Sequence, residues 1–189
     1  VYGEGAGGEV NGNGEWIGSR TMKTVAILGA LDTKGADFAY LKAEIERRGC
    51  AALVIDFGVV GSPAFAPDIT SAEVAAAGGV ALDDLIARGD RGEAMAAMGR
   101  GAAVVVQGLH GEGKIDAIIS MGGGGGTSVA AGAMRALPIG FPKLIVSTLA
   151  GGDVSGFVGI SDIVMMPAIL DVNGVNRISR RIYANAAGG

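Results

Sequence analysis

The chain of 189 residues has one cysteine, one histidine and five prolines. A lone thiol, Cys50, excludes an internal disulfide and fits a reducing compartment. A lone imidazole, His110, leaves no Cys/His cluster for a structural zinc and no centre for a Ser–His–Asp triad. Aromatic residues make up only 5%, so any core must be built from Val, Ile, Leu, Ala and Met. Lys and Arg number 15 against 19 Asp and Glu, a net charge of −4, which provides no basic footprint for nucleic acid. No apolar run reaches the ~18–20 residues of a membrane span, and the start lacks the basic-then-apolar order of a signal peptide. The expectation is a cytoplasmic protein without nucleic-acid or membrane partners.

What the chain does have is glycine, 35 residues of it, in a sequence that is 49% hydrophobic. Residues 1–23 are glycine-rich and aperiodic, and are expected to be a flexible tail or an expression remnant. From residue 24 to 189 the pattern alternates, and the length suits one domain. "KTVAILGA", "AALVIDFG", "KIDAIISM", "PKLIVSTLAGG" and "SDIVMMPAI" are short apolar runs of the kind that form strands buried on both faces. Between them, "DFAYLKAEIERRG" places Phe38, Leu41 and Ile45 on one helical face and stops at Gly49. Thr70 with Glu73 and Asp90 with Glu93 have the spacing of capping boxes. Met95, Met98, Ala102, Val105 and Leu109 form a core stripe, although Gly99 and Gly101 weaken the helix that carries it. A further helix is expected from Thr127 to Leu137, ended by Pro138, and a closing one over 173–187. This alternation predicts an α/β fold: a Rossmann-like open, mostly parallel sheet with helices on both faces.

In such a sheet, ligands sit beyond the carboxyl ends of the strands. Three loops there have unusual composition: "ALDTKG" (30–35), "MGGGGGTS" (121–128) and "TLAGGDVSG" (148–156). The second holds five consecutive glycines, Gly122, Gly123, Gly124, Gly125 and Gly126, immediately before the Thr127-Ser128 start of the expected helix. A helix N-terminus offers free N–H groups and a partial positive charge, and missing Cβ atoms let an anion approach the backbone. The run is not a Walker loop, because no lysine separates Gly126 from Thr127, and it lacks dinucleotide-fingerprint spacing. Lys34 stands near a helix start, where a cation is disfavoured unless an anion joins it. Asp32 and Asp153 either cap helices or hold a metal-bound water, and Asp56 either meets a ribose hydroxyl or is a solvated strand-end carboxylate. Cys50, His110 and the Arg177, Arg180, Arg181 cluster read as structural or surface residues. No catalytic residue and no protein-held metal is assigned.

Six segments in order, "LGALDTKG", "PDITSAEVAAAGG", "GGGGGT", "MRALPIGFPKLIVST", "SGFVGISDIVMM" and "VNRISRRI.ANAAG", resemble the family of the plant tomato mosaic virus resistance protein and its uncharacterised bacterial and fungal relatives. The resemblance spans about Val25 to Gly188. It implies a Rossmann-like domain that holds ATP; joined to the reading of the loops, this puts the phosphates on the 122–128 loop, with Asp32, Thr33, Lys34, Thr148, Gly151, Gly152 and Asp153 of the 32–35 and 148–153 loops closing around them and Mg²⁺ entering with the phosphate chain. It also implies a second C-terminal domain that this chain does not include, and assembly into a homo-oligomer. Relatives commonly carry a serine where this chain has Gly124 or Gly125, and "ASGD" where it has Ala150-Gly151-Gly152-Asp153, so two hydroxyl donors are absent here. The alternatives are a phosphoryl-transfer or ATP-hydrolysing enzyme that needs the second domain, and an interaction module with structural ATP.

Overall fold

The computed structural model describes residues 22–189 together with two short strands, β1 (Glu9–Val10) and β2 (Trp16–Ile17), which pair antiparallel. The remainder of the expected tail lies outside the described residues. From residue 24 the elements alternate as β3 (Thr24–Gly29), α1 (Leu31–Arg47), β4 (Ala51–Asp56), α2 (Ser71–Ala77), α3 (Leu82–Arg88), α4 (Arg91–Gly111), β5 (Ala117–Gly122), α5 (Gly124–Arg135), β6 (Lys143–Ser147), α6 (Ser155–Val158), β7 (Val164–Pro167) and α7 (Arg177–Gly188). The five strands from β3 onward form one sheet in the order β4-β3-β5-β6-β7, every pair parallel.

The strands are apolar on both faces because helices cover both. Ala26, Leu28, Ile55, Ile118 and Ile145 pack under α2, α3, α4 and α5. Their alternate neighbours Ile27, Val54, Ile119 and Val146 pack under α1 and α7. Each fully buried Leu or Ile contributes roughly 1.5–3 kcal/mol of burial. The first chain reversal runs from β3 to β4 with α1 on one face; the chain then crosses back beyond β3 to β5 with α2 to α4 on the other.

Three local readings change in the structure. Helix α1 begins at Leu31, six residues before the periodic stretch, and its backbone leaves helical geometry only at Lys34 (φ −130°, ψ 24°). Helix α4 runs unbroken through Gly99 and Gly101. The reason is a helix crossing: a Cβ on Gly101 would lie 1.8 Å from the Val74 carbonyl oxygen, so α2 and α4 touch backbone to backbone there. Helix α5 starts at Gly124, inside the glycine run rather than after it. Of the two expected capping boxes, Thr70–Glu73 is complete. Asp90 caps the Glu93 amide, but the Glu93 carboxylate turns to Arg88.

Helix α7 is held to α1 by buried polar contacts. The Tyr183 hydroxyl donates to Asp37 Oδ1 at 2.8 Å, and the Gly174 amide donates to Oδ2 at 2.9 Å. Burial and the adjoining carboxylate push the Tyr183 phenol well above its ordinary value. Two turns along, Glu44 accepts from Arg48 at 2.6 Å and from Arg47, and Arg48 also donates to the Ala184 carbonyl at 2.7 Å. Those two guanidiniums, Arg48 first, hold the Glu44 carboxyl down at about 2.

Two stability tests follow from these contacts. Tyr183→Phe leaves a carboxylate only 1% exposed one donor short, so denaturant titration is expected to show a loss of about 1–3 kcal/mol. Because the folded Glu44 pKa lies below its ordinary 4.5, its contribution is complete above that pH and fades as pH falls toward about 2. Glu44→Gln is therefore expected to flatten the fall in thermal midpoint across that window, and an unaltered slope would refute the assignment.

Candidate functional site

Strand order reverses between β3 and β5, and the crevice that such a reversal opens lies beyond their carboxyl ends. A cleft of about 610 Å³ occupies that place. Its floor is Ala30 and Met121 at the strand ends, with Gly123, Gly124, Gly125 and Gly126 beside them. Asp32, Thr33 and Lys34 form one wall; Phe57, Gly58, Val59 and Val60 border it; the α3–α4 corner, from Leu85 to Met95, forms the other wall.

Gly123 is the N-cap of α5, with extended backbone and no side-chain cap, and its carbonyl accepts from the Thr127 amide at 2.9 Å. The amides of Gly124, Gly125 and Gly126 are therefore first-turn donors without intrahelical acceptors. No acidic residue occupies that turn. Side chains would obstruct the place: a Cβ on Gly125 would lie 3.3 Å from Met95 Cε, and one on Gly122 would lie 3.2 Å from Gly126 Cα. The glycines thus keep a 12-residue helix start bare and close to its neighbours.

Two cations flank this cradle. Lys34 donates through Nζ to the Val172 carbonyl, a neutral partner. Arg91 is the first residue of α4, and its Nη2 lies 3.7 Å from where a Gly125 Cβ would stand. Arg91 was missed in the sequence; its only signal was a cation directly after the Asp90 cap, where the helix dipole disfavours one. The carboxylates on the walls serve structure. Asp32 Oδ2 accepts from the Val60 amide at 2.7 Å and the Gly61 amide at 3.3 Å, which fastens the 58–61 loop. Its Oδ1 is buried and has no partner.

Other residues singled out in the sequence lie elsewhere. Asp56 is beneath the cleft, 1% exposed, its Oδ1 accepting from Leu31 N at 3.0 Å and Gly58 N at 2.8 Å. Burial pushes its carboxyl upward. The structure thus makes it neither a wall residue nor a solvated one, because that carboxylate anchors the start of α1. Thr127 is fully buried, and its hydroxyl shares a 2.7 Å hydrogen bond with Ser147. Ser128 is exposed on α5 and does not line the cleft. Thr148 and Gly151 line a neighbouring hollow beyond β6 and β7. That loop still borders the cradle, since the Thr148 amide donates to the Gly122 carbonyl at 3.1 Å. Gly152 closes a turn onto Leu149, and Asp153 accepts from the Ser155 amide at 2.9 Å, which lowers its pKa.

Residues 23–189 match the model of the Uncharacterised protein family (UPF0261) N-terminal domain. A UPF0261 protein of Clostridium tetani is 49% identical over 165 residues, covering 87% of this chain and 41% of that protein. A UPF0261 protein of Rhizobium meliloti is 43% identical over 168 residues, again covering 41% of its own length. The tomato (Solanum lycopersicum) ToMV susceptible protein tm-1(GCR26) is 40% identical over 96 residues, 51% of this chain and 13% of that protein. The chain thus spans about two fifths of the bacterial relatives' length. No helix among the described residues is long and apolar enough to cross a membrane.

A methyl on Gly58 would stand 2.6–2.8 Å from the Asp32 carboxyl atoms. Gly58→Ala is therefore expected to drive that carboxylate off the Val60 and Gly61 amides. Hydrogen exchange at those two amides should speed up roughly tenfold, the loss of about one charge-assisted hydrogen bond. Unchanged protection would show that Asp32 does not hold the loop.

Proposed function

The chain belongs to the UPF0261 family, and we propose that its domain binds ATP in the cleft at the β3/β5 reversal. The observation that carries this reading is the bare start of α5: three successive glycine amides without acceptors or side chains, at the positive end of a helix dipole. A phosphate seated there meets N–H donors directly and is not obstructed by a Cβ. Thr33 is exposed on the facing wall, and Lys34 can exchange its neutral carbonyl partner for a phosphate oxygen. The remaining volume suits the rest of a nucleotide, because small-molecule sites commonly run from ~300 to ~1,000 Å³ and are largely apolar.

The donor set fits a nucleotide better than a resident metal. Among the described residues no three His, Cys, Asp or Glu side chains converge. A Mg²⁺ here would arrive on the phosphates, with Asp32 as the carboxylate at hand. Hydrolysis by the domain alone is not part of the proposal: of the two wall carboxylates, Asp90 caps the Glu93 amide and Asp32 fastens the 58–61 loop through Oδ2. We place this domain in the cytoplasm, in a longer protein that contains a second domain and assembles as a homo-oligomer.

Thermal-shift measurements with ATP, ADP, AMP and NAD test the reading, and stabilisation by none of them would overturn it. Gly125→Val puts a branched side chain against Met95 and over the cradle. It is expected to abolish the ATP-dependent shift in a domain that still melts cooperatively.

A further inference from the structure

We propose that Arg91 makes the cleft select for phosphate charge, and that the nucleotide base is covered without being read. The inference rests on the ATP reading above and states what that site discriminates.

Arg91 opens α4, and a cation at that end of a helix is electrostatically unfavourable. Its acidic neighbours are committed elsewhere: Asp90 Oδ1 accepts the Glu93 amide at 2.9 Å, and the Glu93 carboxylate pairs with Arg88 across Gly89. Across the cleft, Asp32 is held by the Val60 and Gly61 amides. Among the described residues, the Arg91 guanidinium is left with no ion pair, and its Nη2 stands next to Gly125 over the floor of the cleft. An anion on the glycine amides lies within its reach and offsets the unfavourable placement. The guanidinium fork suits a phosphate that presents two oxygens.

The apolar part of the cleft lining has no comparable side chain. Leu85, Ile86, Ala94, Met95 and Met121 line it, and none carries a hydroxyl, amide or charged side chain. Ile86 is 54% exposed there, an apolar side chain left in water that a flat ring would cover. Discrimination by base edge depends on paired donors and acceptors; an apolar wall accepts any ring that fits. Purine and pyrimidine triphosphates therefore meet the same surface.

Calorimetric titration of the full 189-residue chain tests this, using ATP, GTP, CTP, ADP, AMP and inorganic tripolyphosphate on wild type, Arg91→Ala and Arg91→Lys. Expected in wild type are triphosphates within about threefold of one another and a stepwise loss from ATP to ADP to AMP. Arg91→Ala should weaken ATP about 10- to 100-fold and compress the ATP-to-AMP difference, and Arg91→Lys should recover part of both. Arg91 is exposed, so both variants should melt like wild type. ATP preferred over GTP by more than about tenfold overturns the unread base. ATP affinity and the ATP-to-AMP ratio unmoved in Arg91→Ala overturn the role of Arg91. Tripolyphosphate binding that weakens in Arg91→Ala, without nucleotide binding, sustains Arg91 as the phosphate reader while removing the ATP reading. Binding of neither removes both.

Discussion

Everything in this domain depends on the parallel pairing of β3 with strands on both sides. With β4 on one edge and β5 on the other, consecutive right-handed crossovers must travel in opposite directions. Helix α1 is thereby sent to one face and α2 to α4 to the other, and the loops leaving β3 and β5 diverge. The cleft is the space between them. Strands covered on both faces turn few side chains to solvent, which is why β3 to β6 read as mostly apolar runs.

Glycine serves two different ends in this architecture. At Gly101 it removes a side chain so that α2 and α4 can cross with their backbones in contact. At the start of α5 it leaves a first helical turn bare on the floor of a cleft. Three helical glycines in a row cost about 2–3 kcal/mol relative to alanine, a cost that a strand-to-helix turn alone does not require. In the proposed ATP reading, phosphate recognition falls to these backbone amides and to the cations around them.

Much of the strand and helix alternation was legible because burial on both faces and amphipathic spacing are written locally. Thr70–Glu73 was readable for the same reason: both halves of a capping box lie within one turn. The early start of α1 was not. Residues 31–36 lack a helical apolar period, and the turn forms because Asp56, from the next strand, accepts the Leu31 amide. The fate of the carboxylates was equally hidden, since Asp32 meets amides at positions 60 and 61, and Asp37 meets residues 174 and 183.

By itself the sequence determined the layered α/β class, the order of its elements and the place of the glycine run at a strand end, because each follows from periodicity and from the chemistry of neighbouring residues. Tertiary structure alone decided which loops share the cleft. It joined 32–34 and 123–126 with the α3–α4 corner, turned the 148–153 loop mainly toward a neighbouring hollow, and brought Arg91 to Gly125. Strand order is a long-range pairing between segments that carry no local label for their partners, so the meeting of residues 91 and 125 exists only once the sheet has formed.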